Sequence, residues 1–258
     1  MENSNLRKKL ILIIIGFIFI ISSIVCRYLS FNDLPIYFLD LIGVGIILFS
    51  SSIKQKSAHQ LSIKEISLIG VQGAISALLY IFVKFNLPIF PQFLDIQVSE
   101  IPALITSFMY GPSAGCFVIL IRFILKLPFS STEFVGELAD LIIGLVLVYI
   151  SGAIYKKKRT LKGALLGLSL AMVLSTIVAM LSNLFILIPF YLQLFFNGSM
   201  KPLLAMCSMI PNINENNFMT YYLFIGVLPF NLFRFLIVFI LTFLLYKRIN
   251  FLFKKITK

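Results

Sequence analysis

The sequence has very few of the side chains on which enzyme chemistry usually depends. It contains one histidine, His59, which excludes an H-E-x-x-H zinc site and makes a Ser-His pair inside a membrane implausible. No G-x-x-x-x-G-K-[ST] sequence occurs, so the chain has no Walker A loop with which to hydrolyse ATP. The three cysteines, Cys26, Cys116 and Cys207, are odd in number and widely spaced. We therefore interpret them as small apolar residues rather than as disulfide partners or metal ligands. These absences predict a protein that is not an enzyme and that uses no metal or other cofactor.

Charged residues are also scarce. They make up 12% of the 258 residues, whereas hydrophobic residues make up 60%, a balance outside the range of soluble globular proteins. Apolar runs of about 20 residues recur, each long enough to cross the bilayer core as a helix. The alternating ten-residue segments of a membrane β-barrel do not appear. The composition therefore predicts an all-α, multi-pass integral protein of the cell membrane, with the lipid bilayer as its surroundings.

The net charge of +12 raises the possibility of nucleic-acid binding, but the placement of the cations explains it. If the amino terminus is cytoplasmic, most of the 22 Lys and Arg residues fall in segments on the inner side, namely 7–9, 54–64, 156–162 and 247–258. Short inner loops rich in Lys and Arg are typical of membrane proteins. The pattern predicts that both termini are cytoplasmic, and it requires no nucleic-acid partner.

The chain is predicted to have two parts. Residues 1–62 are expected to form an amino-terminal transmembrane hairpin and an inner linker. No small-x-small cleavage site follows the first apolar run, which argues against a signal peptide. Residues 63–258 are expected to form a six-helix membrane domain. No internal repeat is visible, so an inverted-repeat transporter is not supported.

The six predicted helices differ in length. Their approximate ranges are 65–84, 100–111, 113–127, 134–155, 162–189 and 218–246. The second and third are short and separate at Gly111 and Pro112, because proline lacks a donor and restricts the residue before it. The segment 190–217 is predicted to be a loop.

Several polar side chains interrupt the apolar helices, where ionisable groups are costly and are functional hypotheses by default. The helical rise of about 1.5 Å per residue places a group of them in the outer half of the membrane: Glu137, Asp140, Asn183, Asn231 and Arg234. Lying beneath the external segment 85–99, they predict a small-molecule pocket that is open to the outside. Hydrogen bonding between helices is the alternative role for the two asparagines and the arginine.

Two further patterns have both a structural and a functional interpretation. Arg122 and Lys126 are predicted to hold two helices together by pairing with an acidic residue in or just before the next helix, which is Glu133, Glu137 or Asp140. The first core helix carries a small-xxx-small pattern that consists of Gly70, Gly73, Ala74 and Ala77. Such residues allow another helix to approach closely, and both internal packing and a docking face for a partner remain open.

Six motifs occur in a characteristic order between about Ile63 and Tyr246. They are NLPIFPQFLDIQVSEIPALI, YGPSAG, GELAD, KKKR, NLFILIPFY and PFNLFR. Together they resemble the S component of an energy-coupling factor (ECF) vitamin transporter, specifically the riboflavin-binding type. The resemblance implies a six-helix bundle that binds riboflavin from outside under its first external loop. It also implies a separate membrane coupling subunit, driven by two ATPase subunits, on which this chain would dock.

The resemblance also implies roles for individual residues. Substrate contacts are implied for Leu94, Ile96, Gln97, Val98, Ser99, Asn183, Asn231 and Arg234. Docking contacts are implied for the four small residues of the first core helix, Gly70, Gly73, Ala74 and Ala77.

The chain departs from the family pattern at three positions. Arg234 stands where lysine is expected, Gln97 where an acidic residue is usual, and Asp140 where asparagine is common. An arginine fork is not equivalent to an ammonium group, so riboflavin, FMN and another vitamin all stay open as ligands. The amino-terminal hairpin is outside the family pattern. A different class, a self-sufficient secondary transporter with Glu137 and Asp140 as proton carriers, is the alternative function.

Overall fold

The computed structural model describes the backbone of residues 62–256 and the side chains of residues 62–246. The predicted amino-terminal hairpin lies outside the described residues. Within them the chain is mostly helical, with one short antiparallel hairpin in which Lys84 pairs with Gln97 and Phe85 with Ile96. The elements are α1 (Ile63–Phe82), β1 (Lys84–Phe85), β2 (Ile96–Gln97), α2 (Glu100–Tyr110), α3 (Pro112–Lys126), α4 (Val135–Lys157), α5 (Leu161–Ser182), α6 (Ile188–Leu194), α7 (Lys201–Met206), α8 (Phe218–Tyr221) and α9 (Leu228–Ile256).

Local sequence signals explain where the first helices begin and end. Ser62 and Glu65 form a reciprocal capping box, in which the Ser62 hydroxyl accepts from the Glu65 amide and the Glu65 carboxylate accepts from the Ser62 amide. Gly111 has a φ of +98°, a conformation that favours glycine, and Pro112 is the first residue of α3. The predicted break between the second and third core helices is confirmed.

Five helical stretches of the described chain are long and apolar enough to cross a membrane. They are Ile63–Phe82, Pro112–Phe129, Val135–Lys157, Leu161–Leu194 and Phe218–Tyr246. Helix α2 has only 11 residues, and it packs against α1, α3, α4 and α9. Large apolar side chains such as Ile66, Leu78 and Phe82 are exposed on α1, as expected for a surface that contacts lipid or another membrane protein. The prediction of a helical membrane protein is confirmed.

The last two long stretches are not regular α-helices. Residues Asn183–Leu187 and Tyr222–Val227 are π-helical, and they join α5 to α6 and α8 to α9. The two π segments contact each other. Short π segments inside helices are frequently found at functional sites.

The prediction that 190–217 is a loop is wrong in part. Helix α6 continues to Leu194, and Lys201–Met206 form α7, with Pro202 in its first turn. Leu203 and Cys207 are fully buried in an apolar cluster with Tyr222, and burial raises the pKa of the Cys207 thiol to about 12. This packing is between residues that are distant in sequence. The four asparagines at 212–217 are typical of a loop, so the sequence alone did not indicate the packing.

Candidate functional site

A cavity opens at the end of the bundle that carries the β1–β2 hairpin. The space inside it, including the part that is open to solvent, is about 820 Å³. Aromatic rings line part of its wall, namely Phe93, Tyr191 and Phe230. Polar and charged side chains from the hairpin and the helices line the rest. The wall therefore offers flat apolar surfaces beside a set of hydrogen-bonding groups.

Four ionisable side chains from α2, α3, α4 and α9 meet beside this cavity, three of them buried and the fourth, Asp140, half-buried. Arg234 pairs with Glu100 through Nη2 and with Asp140 through Nη1, the latter at 3.2 Å. Arg122 pairs with the same Glu100 oxygen at 3.4 Å and donates to the Asp140 backbone carbonyl at 3.2 Å. Glu100 is fully buried and Arg122 is 1% exposed. Two guanidinium groups are thus balanced by two carboxylates, as buried charges generally require.

Asp140 connects this network to the hairpin and to α1. Its Oδ2 accepts hydrogen bonds from the Tyr80 hydroxyl at 2.6 Å and from Gln97 Nε2 at 2.8 Å, while its Oδ1 faces Arg234. One carboxylate therefore holds together α1, the hairpin, α4 and α9. Tyr80, Gln97, Asp140 and Arg234 all line the cavity.

A second ion pair lies on the cavity wall. Lys126 Nζ is 3.9 Å from Glu137 Oε1, which confirms the predicted pairing between Lys126 and an acidic residue of the next helix. The corresponding prediction for Arg122 needs correction, because its carboxylate partner is Glu100 on α2, and only the backbone of Asp140 accepts from it. Helix α2 packs against α3, and its first turn brings the Glu100 carboxylate within 3.4 Å of Arg122.

Asn183 reaches the cavity from the first residue of a π segment. Its Nδ2 donates to the Ala179 carbonyl at 2.8 Å, and its Oδ1 accepts from the Tyr222 hydroxyl at 2.6 Å. Tyr222 belongs to the other π segment and fixes the orientation of the amide. One N–H of the Asn183 amide is then available to a bound molecule, since the amide nitrogen has two donors.

The eight predicted substrate contacts divide into two groups. Leu94, Gln97, Asn183 and Arg234 line the cavity. The others lie behind its wall: Ile96 packs on Phe90 and Phe230, Ser99 accepts from Arg122 Nη1 at 2.7 Å, and Asn231 donates to the Val227 carbonyl at 2.9 Å. Val98, between Gln97 and Ser99, is half-buried and is not among the lining residues. The role of these residues in binding stays a prediction.

Sequence reasoning missed the central position of Glu100 and the contribution of Tyr80. A usable signal existed for Glu100, because it is the one charged residue between Ile96 and Tyr110, and an ionisable group in an apolar helix is a candidate functional residue. No local signal marks Tyr80, whose role depends on the distant Asp140.

The four small residues of α1 do not share one environment. An added Cβ at Gly73 would overlap Ile121 of α3, at 2.8 Å from its Cβ, and Ala77 is 3% exposed. Gly70 is half-buried with open space beside it, and Ala74 is exposed. Gly73 and Ala77 therefore pack within the bundle, whereas Gly70 and Ala74 belong to its outer surface.

No group of three potential metal ligands occurs among residues whose side chains the structure describes. The polar groups of the cavity instead form ion pairs and hydrogen bonds with one another. The arrangement suits reversible binding of a flat, polar-edged molecule.

Comparisons with known proteins agree on one family. The family model for the substrate-specific component of ECF transporters matches residues 64–246. Riboflavin transporter RibU of Staphylococcus aureus (strain TCH60) is 31% identical over 191 residues, which cover 73% of this chain and 92% of that protein. Riboflavin transporter FmnP of Bacillus subtilis (strain 168) is 27% identical over 134 residues, which cover 51% of this chain and 70% of that protein. A solved structure of the S component of a bacterial ECF transporter matches with a TM-score of 0.56 and 31% identity, over 73% of this chain and 97% of the other.

Proposed function

Because this chain belongs to the family of substrate-specific components of ECF transporters, we propose that it binds riboflavin for uptake into the cell. It is a component of a transporter in the cell membrane and not an enzyme. Two riboflavin transporters are among its relatives, and the resemblance predicted from the sequence is confirmed.

The observation that carries the proposal is the composition of the cavity wall. Phe93, Tyr191 and Phe230 supply aromatic surface, while Gln97 and Asn183 supply amide groups. Riboflavin combines a flat ring system, an edge of amide-like donors and acceptors, and a hydroxylated tail. Side-chain amides can both donate and accept along such an edge, and a mostly apolar pocket with a few placed polar groups is typical of small-molecule sites.

The direct test is the absorption spectrum of the purified full-length protein, followed by titration with riboflavin and measurement of flavin fluorescence. Copurified flavin, or saturable quenching with one ligand per chain, is the expected result. If riboflavin neither copurifies nor is quenched while another vitamin binds, the chain is an S component for that vitamin.

The proposed energy source is external to this chain. We propose that it docks on a membrane coupling subunit that two ATPase subunits drive, with both of its own termini in the cytoplasm. Residues 1–62 are proposed to form a transmembrane hairpin and an inner linker, and residues 63–258 the substrate-binding domain. The alternative is a self-sufficient transporter with Glu137 and Asp140 as proton carriers; it predicts uptake without ATPase subunits that stops when the proton gradient is collapsed.

The two predicted asparagine contacts are expected to differ in importance. Asn183→Ala removes an amide that lines the cavity, so riboflavin affinity is expected to fall about tenfold, the loss of roughly one hydrogen bond. Asn231→Ala should have a smaller effect, because the Asn231 amide bonds to the backbone of its own helix. The measurement is riboflavin titration of both variants. Equal losses of affinity, or a larger loss for Asn231→Ala, would indicate that the ligand lies closer to α9 than proposed.

The outer surface of α1 is proposed as the docking face, with Gly70 and Ala74 at its centre. Ala74→Leu adds bulk to an exposed position, so it is expected to reduce riboflavin uptake at least several-fold while leaving riboflavin affinity unchanged. Uptake by cells is compared with binding to the purified protein. Val173→Leu, at a position of α5 that is 47% exposed, serves as the control and should transport normally. Normal uptake by Ala74→Leu would place the docking surface elsewhere.

A further inference from the structure

The charged side chains on the cavity wall occur as neutral pairs. Three pairs contribute to the lining: Lys84 with Asp95 at 3.2 Å, Lys126 with Glu137 at 3.9 Å, and Arg234 with Asp140 at 3.2 Å. Every cation that lines this cavity therefore has a carboxylate beside it. The wall carries no net charge that could attract an anion.

Glu100 extends this neutrality to the layer behind the wall. It contacts both Arg234 and Arg122 through one oxygen, and it is fully buried. Without Glu100, Asp140 would be the one carboxylate next to two guanidinium groups. The net charge beside the cavity would then be positive rather than zero.

The two terminal nitrogens of the Arg234 guanidinium group are paired with carboxylates of the protein. Its Nη1 donates to Asp140 and its Nη2 to Glu100. Arginine is well suited to bidentate binding of phosphate, and in the sequence alone Arg234 is compatible with a phosphorylated ligand. In the structure each terminal nitrogen is already paired with a carboxylate, so the charge of Arg234 is balanced within the protein and is not a surplus positive charge for a phosphate.

We infer that Glu100 is a specificity-determining residue, which makes the cavity select uncharged riboflavin over the phosphorylated flavin FMN. This inference rests on the proposed flavin site. A phosphate monoester carries a charge of about −1.5 to −2 at neutral pH. Moving that charge into a cavity without surplus cations is costly. Riboflavin avoids this penalty because its groups need only hydrogen bonds. Selectivity of this kind comes from rejecting the competitor rather than from extra contacts with the substrate.

The test compares riboflavin and FMN on the full-length protein, by the same flavin fluorescence titration. For the unmodified protein, the Kd for FMN is expected to be at least about tenfold higher than that for riboflavin. Glu100→Gln keeps the side-chain shape but removes its charge, and the ratio of the two Kd values is expected to fall about tenfold. Asp140→Asn removes the other carboxylate partner of Arg234 and should lower the ratio in the same direction.

Glu215→Gln is the matched control, because it makes the same change in net charge at an exposed residue that is not among those lining the cavity. It should leave the ratio unchanged. Equal affinity of the unmodified protein for FMN and riboflavin would overturn the inference while supporting the flavin site. An unchanged ratio in a folded Glu100→Gln protein would also overturn it. Binding of neither flavin would instead overturn the proposed function, and this inference with it.

Discussion

Arg234→Met is expected to abolish measurable riboflavin binding and to lower the stability of the protein by about 3–5 kcal/mol, the usual consequence of removing one partner from a buried ion pair. Arg234 is 4% exposed and is the group that joins Glu100 to Asp140. Methionine fills a similar space without a charge. It would leave both carboxylates beside a single guanidinium group, that of Arg122.

The measurements are riboflavin titration and the thermal unfolding midpoint of the protein in detergent. Arg234→Lys is the informative partner variant, because it keeps the charge but cannot reproduce a fork that reaches two carboxylates at once. An intermediate loss of stability is expected for it. If Arg234→Met unfolds at the same temperature as the unmodified protein, the ion-pair network does not stabilise the fold.

Gly115→Ala is also expected to destabilise the fold clearly, although it adds a single methyl group. The added Cβ would lie 2.6 Å from the Ala103 carbonyl oxygen and 2.5 Å from Cγ1 of Val148. The carbonyl belongs to the backbone of α2, so the helices themselves would have to separate. Overpacking of this kind costs about 1–3 kcal/mol and occasionally more.

Gly70→Ala is the control for Gly115→Ala, because no atom lies within 4 Å of the corresponding Cβ. Alanine is favoured over glycine inside a helix by about 0.5–1 kcal/mol, so this variant should be as stable as the unmodified protein or slightly more so. Both variants are compared by unfolding temperature and by the fraction that elutes as a single species. Equal behaviour of the two would show that α2 and α3 can separate without loss.

The membrane class and most helix positions follow from local sequence properties. Long apolar runs are sufficient to predict spanning helices, and Gly111 with Pro112 marks the break between α2 and α3 because glycine tolerates a positive φ and proline lacks a donor. The structure moves the predicted helix boundaries by a few residues. The π segments at 183 and 222 could not be predicted in this way, since each depends on packing between helices that are distant in sequence.

The sequence was sufficient to predict where the candidate site lies, but not which of its charged side chains form ion pairs with one another. Depth along the helices brings Asn183 and Arg234 to one end of the bundle, and both line the cavity. The partners of Arg234 depend on how α2 packs against α9, which no spacing rule within a helix supplies. Asn231, three residues before Arg234, donates to its own helix in the structure, and its contact with the ligand stays a prediction.

The ion-pair network also has a consequence for how the bundle is made. A chain is synthesised from its amino end, so Glu100, Arg122 and Asp140 leave the ribosome before Arg234. Until α9 arrives, two carboxylates have one guanidinium group between them in a setting where unpaired ions are costly. Within this network, the residues made earlier therefore carry one carboxylate more than they have guanidinium groups, and Arg234 on the last long helix restores the balance.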